Sequence, residues 1–292
     1  MHDINYFHEH EITEHDFLGC CKDCTNSLNI IKPHIISFAS KIKKYSLETL
    51  QKLPADELYR LYQIVDDLAH MNAGTHLAGL ILEEPEIQKE LPDIRSYYTN
   101  FFSIHEIHLA KTLLNNRDPW KTLESFPLYS RYKMLVKNQI EAMNIKPETR
   151  IVFVGSGPVP ISLILMSRFY NISSVGLDNN AEIVELSKKV IHCLGLDKNI
   201  KIIHGDDSHL KNIKWNAVLV AALAEPKGRI FRNLHEILKQ KKKTPVIFRT
   251  YTGMKAVLYK PVQPEHIRGF KIINVIQPTG RVNNTIVFLN LK

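Results

Sequence analysis

At 292 residues, with a hydrophobic share of 44%, the chain has room for one large globular domain or two modest ones. No run of 18 apolar residues occurs, and Met1-His2-Asp3-Ile4-Asn5 lacks the charged-then-apolar form of a secretory signal, so no membrane partner and a cytoplasmic setting are expected. The net charge of +8 raises nucleic acid as a partner, but the basic residues are scattered and Lys239-Gln240-Lys241-Lys242-Lys243 reads as a solvated helix end, which argues against it.

Residues 1–25 are polar and aperiodic, and are expected to be a flexible leader. Cys20, Cys21 and Cys24 lie near His2, His8, His10 and His15, a soft-metal composition. A structural zinc site needs a second Cys or His pair further along; none stands out, and no metal ligand is assigned. From Leu28 the pattern turns helical, with one stripe through Ile31, Ile35, Ile36 and Phe38. A second stripe follows through Leu58, Leu61, Tyr62, Val65 and Leu68, after a helix start at Pro54, Asp56 and Glu57. Further helices are predicted over 94–115 and 128–143, and no strand before 150, so 26–147 reads as an N-terminal helical bundle domain.

Residues 148–292 change character. Strands are predicted at 151–154, 174–177, 200–203, 217–220, 246–249, 272–276 and 285–289, with helices over 180–194 and 227–238. Alternating strand and helix implies right-handed crossovers and a parallel sheet covered on both faces. The last two strands are separated by a turn at Pro278-Thr279-Gly280, which predicts an antiparallel hairpin. Seven strands with the last reversed resemble the α/β, Rossmann-like S-adenosylmethionine-dependent methyltransferase-type fold.

Ligands of such sheets bind beyond the carboxyl ends of the strands. The first strand runs into Gly155-Ser156-Gly157-Pro158, where glycine lets backbone approach a ligand. The dinucleotide fingerprint would need a third glycine where Pro160 stands, which disfavours NAD. Asp178 ends strand two, placed to grip a ribose diol. Asp206 follows strand three, where it could accept from an adenine amino group, and Ala221 and Ala222 follow strand four, small enough to line an adenosine slot. Four compatible strand ends point to a nucleoside ligand.

The chain resembles the nicotianamine synthases, especially their archaeal members. The resemblance lies in Gly155–Pro160, in Val220-Ala221-Ala222-Leu223-Ala224-Glu225-Pro226-Lys227, in the run from Arg249 to Tyr259 and in Val282-Asn283-Asn284-Thr285; upstream it extends to Asp118-Pro119-Trp120 and Leu128–Tyr132. It implies S-adenosylmethionine as donor substrate, transfer of its 3-amino-3-carboxypropyl (aminobutanoyl) arm to an α-amine, and release of methylthioadenosine. It offers Glu106 as the base and Tyr132 as its hydroxyl partner, by their distance from Pro119-Trp120. It also offers Arg249 to clamp an acceptor carboxylate, with Tyr259 and Asn283 lining the acceptor pocket. The implied partner is a small-molecule amino-acid acceptor, with room for a homodimer. Transfer onto histidine, as in staphylopine-type synthesis, is the first alternative; an ordinary methyltransferase and a non-catalytic metal binder using the leader are further ones.

Overall fold

A short run of β-branched and aromatic residues can bury both faces only inside a sheet covered by helices. Arg150–Val154 (β1) is such a run, and four of its five residues are buried. The computed structural model describes residues 22–143, 149–241 and 244–292. They divide into two compact units: one runs to His105 and takes in Tyr251–Gln263, the other joins Glu106–Thr250 to Pro264–Lys292.

The first unit holds helices α1 (Lys22–Ile42), α2 (Leu47–Lys52), α3 (Ala55–Ala69), α4 (Thr75–Glu83) and α5 (Pro85–Leu114) as far as His105. The second predicted stripe points inward, with Leu58, Leu61, Tyr62, Val65 and Leu68 all buried; of the first, Ile31, Ile35 and Phe38 are buried and Ile36 is half-buried. Tyr62 stacks on Phe101 at 4.1 Å and donates to the buried Asp66 carboxylate at 2.8 Å. Arg95 ties the later segment in, donating twice to the Ala256 carbonyl, at 2.7 and 3.2 Å. The leader expected through residue 25 lies mostly outside the described residues, Cys20 and Cys21 included. Helix α1 begins at Lys22, so Cys24 is helical, with its Sγ 3.6 Å from His76 Nδ1. Among the described residues no three His, Cys, Asp or Glu side chains group as metal ligands, and no helix is long and apolar enough to cross a membrane.

The second unit adds α6 (Pro119–Glu124), α7 (Tyr129–Met143), α8 (Ile161–Tyr170), β2 (Ser173–Asp178), α9 (Ala181–Cys193), β3 (Ile200–His204), β4 (Ala217–Val220), α10 (Lys227–Leu238), β5 (Val246–Thr250), β6 (Phe270–Ile276) and β7 (Thr285–Leu291). All seven strands form one sheet in the order β3-β2-β1-β4-β5-β7-β6. The pairings among β1 to β5 are parallel, and β7 runs antiparallel between β5 and β6. The hairpin is therefore present, with its last strand inserted inside the sheet. Burial explains the insertion: the first five residues of β7 are buried, whereas β6 is half-exposed and carries a register shift between Ile272 and Asn274, a common feature of an edge strand.

Registers align the strand ends that matter. Val154 pairs with Leu177 on β2 and with Val220 on β4, so the three carboxyl ends are level where the strand order reverses. Helix α8 follows the β1 turn and is buried from Ile161 to Ser167, as a central helix should be. Helix α10 packs by Phe231, whose ring meets Phe248 of β5 at 5.2 Å and Phe270 of β6 at 6.2 Å. Replacing Phe231 by Ala should cost about 3–5 kcal/mol, read as a lower denaturant midpoint; an unchanged midpoint would contradict this packing.

Candidate active site

The turn after β1 is the centre of the site. Gly155 and Gly157 have φ of 79° and 71°, in the left-handed region that side chains avoid. The N–H groups of Gly155 and Ser156 both donate to the Leu177 carbonyl at 2.9 Å, and Gly157 N–H donates to Asp178 Oδ2 at 3.0 Å. Neighbours crowd the place of a Cβ at both glycines. One added at Gly155 would stand 2.8 Å from the Ala224 Cβ and 3.3 Å from that of Ala221; one at Gly157 would stand 2.9 Å from Glu106 Oε2. Ser156 and Pro158 are buried beneath the turn. The ends of β1, β2 and β4 thus meet at this turn, with Glu106 against it.

Glu106 lies on α5, and Tyr132 on α7 donates to its Oε1 at 3.1 Å. Glu106 keeps some exposure but is densely surrounded by protein. Burial pushes its carboxyl up to about 8, the Tyr132 hydrogen bond pulls it back, and the Asp178 charge pushes the same way as burial. A carboxyl that exchanges its proton near neutrality is suited to general-base work. The neighbouring His105 points elsewhere, its ring stacked on Phe101 at 4.9 Å and on Tyr59 at 5.8 Å.

The strand-end carboxylates are held by backbone. Asp178 Oδ1 accepts from Asn180 N–H at 3.1 Å while Oδ2 takes Gly157, which fixes it between the turn and the start of α9. Asp206 is a capping residue: its Oδ1 accepts from the Ser208 N–H at 3.0 Å and the Ser208 hydroxyl at 2.6 Å. The Ser208 hydroxyl is the main reason that this carboxyl sits below its usual range. The next residue, Asp207, is buried and takes Arg229 Nη2 at 2.9 Å.

Arg249 differs from expectation. It lies inside β5, 4% exposed, donating Nη1 to Ser162 Oγ at 2.9 Å and Nη2 to Gln139 Oε1 at 3.0 Å. Two of its five N–H donors are used within the protein, where they tie α7 to the start of α8. Tyr259 belongs to the first unit, 5.7 Å from the Tyr251 ring, while Asn283 is buried ahead of β7 in the second. One residue escaped the sequence reading: Lys227 heads α10, buried, its Nζ donating to the Ala222 carbonyl at 2.9 Å. The signal was present, because a lysine in the first turn opposes the helix dipole and needs another purpose.

The family model described as "Nicotianamine synthase protein" matches residues 24–292. The chain belongs to the nicotianamine synthase family. Nicotianamine synthase 1 of Arabidopsis thaliana is 23% identical over 282 residues, covering 90% of this chain and 84% of the plant protein. L-histidine 2-aminobutanoyltransferase of Pseudomonas aeruginosa is 22% identical over 138 residues, covering 47% of this chain and 52% of that protein. Among solved structures, MtNAS in complex with MTA and tNA is 33% identical with a TM-score of 0.84, covering 94% of this chain and 100% of that one. A Glu-to-Gln variant of MtNAS in complex with S-adenosylmethionine matches at 33% identity and a TM-score of 0.83, over 94% and 99% of the two chains.

For this member of the nicotianamine synthase family, Gly157→Ala should combine backbone strain with displacement of the Glu106 carboxylate. Activity should fall by roughly 100-fold, the scale of loss when groups around a reaction centre are misplaced. The melting temperature should drop by only a few degrees. Activity within threefold of the parent would show that neither the turn nor Glu106 needs this geometry.

Proposed function

We propose that this family member transfers the 3-amino-3-carboxypropyl group of S-adenosylmethionine to an α-amine, releasing methylthioadenosine and building a nicotianamine-like metallophore. The observation that carries the reading is the Glu106–Tyr132 pair set against the Gly157 turn, within a chain that matches the family over residues 24–292. MtNAS, 33% identical to this chain, has been solved with S-adenosylmethionine and with MTA and tNA.

The chemistry follows from the sulfonium. Attack by an amine nitrogen on the activated carbon of the aminocarboxypropyl arm forms a C–N bond. The C–S pair returns to sulfur, so a cation leaves as a neutral thioether. Which of the three activated carbons reacts depends on which one is held in line with the nucleophile. The turn Gly155–Pro158 with Asp178, Asp206, Ala221 and Ala222 is the proposed nucleoside site. Glu106 is the proposed base, removing a proton from the acceptor nitrogen, and Tyr132 steadies the resulting charge distribution by its hydrogen bond. Asn283 and Tyr259 remain proposed for the acceptor side. A cytoplasmic setting and a homodimer belong to the same reading.

A carboxyl raised to about 8 gives a definite sign of pH dependence. Below that value Glu106 is protonated and cannot accept; through it the base form appears, so kcat should rise with pH and level off above about 8. Tyr132→Phe removes the interaction that pulls the value down and should move this limb to higher pH. Glu106→Gln should remove the limb and lower turnover by about two to four orders of magnitude, with methylthioadenosine binding kept. Parent-like activity in that variant would take Glu106 out of the mechanism.

Acceptor and product are tested together. Purified protein given S-adenosylmethionine alone should release methylthioadenosine and form linked aminobutanoyl products by mass spectrometry. Product only when histidine is supplied would favour the alternative represented by the Pseudomonas relative. Predominant S-adenosylhomocysteine would make the protein a methyltransferase and end this reading.

A further inference from the structure

Lys227 is placed against two physical preferences. It stands at the positive end of α10, and its side chain is only 4% exposed, so both the helix dipole and desolvation oppose its charge. The compensation lies in the loop that follows β4. Its Nζ donates to the carbonyls of Ala222, at 2.9 Å, and Ala224, and lies 3.5 Å from Glu225 Oε1. Glu225 Oε2 in turn accepts from the Lys227 N–H at 2.9 Å. The three donors of an ammonium thus face two carbonyls and a carboxylate from one short segment.

That segment is the one the glycine turn rests on. Ala221 N–H donates to the Val154 carbonyl at 3.0 Å, and Ala224 N–H to the Ala221 carbonyl at 3.2 Å. The side chains of Ala221 and Ala224 are the groups a Cβ on Gly155 would strike. Without the ammonium, two carbonyls are left beside a buried apolar stem, and an unsatisfied buried acceptor destabilises the conformation that holds it.

We infer that Lys227 is a positioning residue for the donor: its ammonium holds the Ala221–Glu225 loop in the shape that closes against the Gly155 turn, and so sets the nucleoside slot. The inference rests on the donor reading above and adds to it a residue that need not touch the ligand. Burial also lowers Lys227 to about 8, with Glu225 acting in the opposite direction. Arg229, two residues on, turns instead to Asp207 at 2.9 Å and Asp206 at 3.4 Å. The latch should therefore weaken as pH rises past about 8, when the third donor and the charge are lost.

The test measures methylthioadenosine affinity by calorimetry. In the full chain at pH 7, Lys227→Met should weaken binding by tenfold or more while the melting temperature moves by only a few degrees. Lys227→Arg, which keeps charge and donors, should recover most of the loss. A second measurement needs no change at Lys227: in the Glu106→Gln background, which removes the other group that titrates near 8, affinity should be flat from pH 6 to 7.5 and fall by pH 9.5. Parent-like affinity of Lys227→Met, or a flat profile through pH 9.5, overturns the inference. A chain that fails to bind methylthioadenosine even without substitution overturns the donor reading, and the inference with it.

Discussion

Two N–H groups of one turn, those of Gly155 and Ser156, converge on a single carbonyl, that of Leu177. The backbone between those two N–H groups is left-handed at Gly155, where a Cβ would strike Ala224 and crowd Ala221. Parallel pairing brings the Leu177 carbonyl within reach, because the β1–β2 register sets Val154 beside Leu177. The same β1 residue pairs with Val220, which sends β4 into the loop whose alanines fill the space beside Gly155. One hydrogen-bonding constraint at the end of β1 therefore fixes how close three strands and one carboxylate can come.

Desolvation gives that geometry its chemistry. Glu106 and Lys227 carry opposite charges, yet burial drives both toward about 8, the acid upward and the base downward. In water they would titrate about six units apart. The effect is the same in each case, because taking a group out of water penalises whichever form is charged. Their surroundings then separate the roles. Glu106 has a hydroxyl partner and some exposure, which suits proton exchange with a ligand, whereas Lys227 is enclosed by carbonyls of its own loop, which suits holding. A site that used fully solvated groups would gain neither property near neutral pH.

Much of the fold was legible in the sequence because period and composition agree there. The seven strands fall within two residues of where the β-branched runs put them, and 217–220 and 227–238 coincide with β4 and α10. Two features were not legible. The place of β7 inside the sheet depends on which hairpin strand is apolar on both faces, a tertiary matter. The clustering of 106–143 with the sheet cuts α5 in two, and no change of composition marks that point. At the site, the glycine turn and Asp178 followed from strand ends, but Glu106 needed the family resemblance, since a lone helical glutamate is ordinary. The partners of Arg249 were not legible either, because only packing reveals Ser162 and Gln139 beside it.

Arg249 has work to do inside the protein. Two of its five N–H donors go to the Ser162 hydroxyl and the Gln139 amide, each buried. Removing the guanidinium would strand both groups without a donor. Arg249 therefore holds α7 against the first turn of α8. Tyr132 lies on the same helix α7 as Gln139, so the hydroxyl beside Glu106 and the amide on Arg249 share one rigid support. The Glu106 carboxyl, its hydroxyl partner and the buried cation thus belong to one unit of the chain.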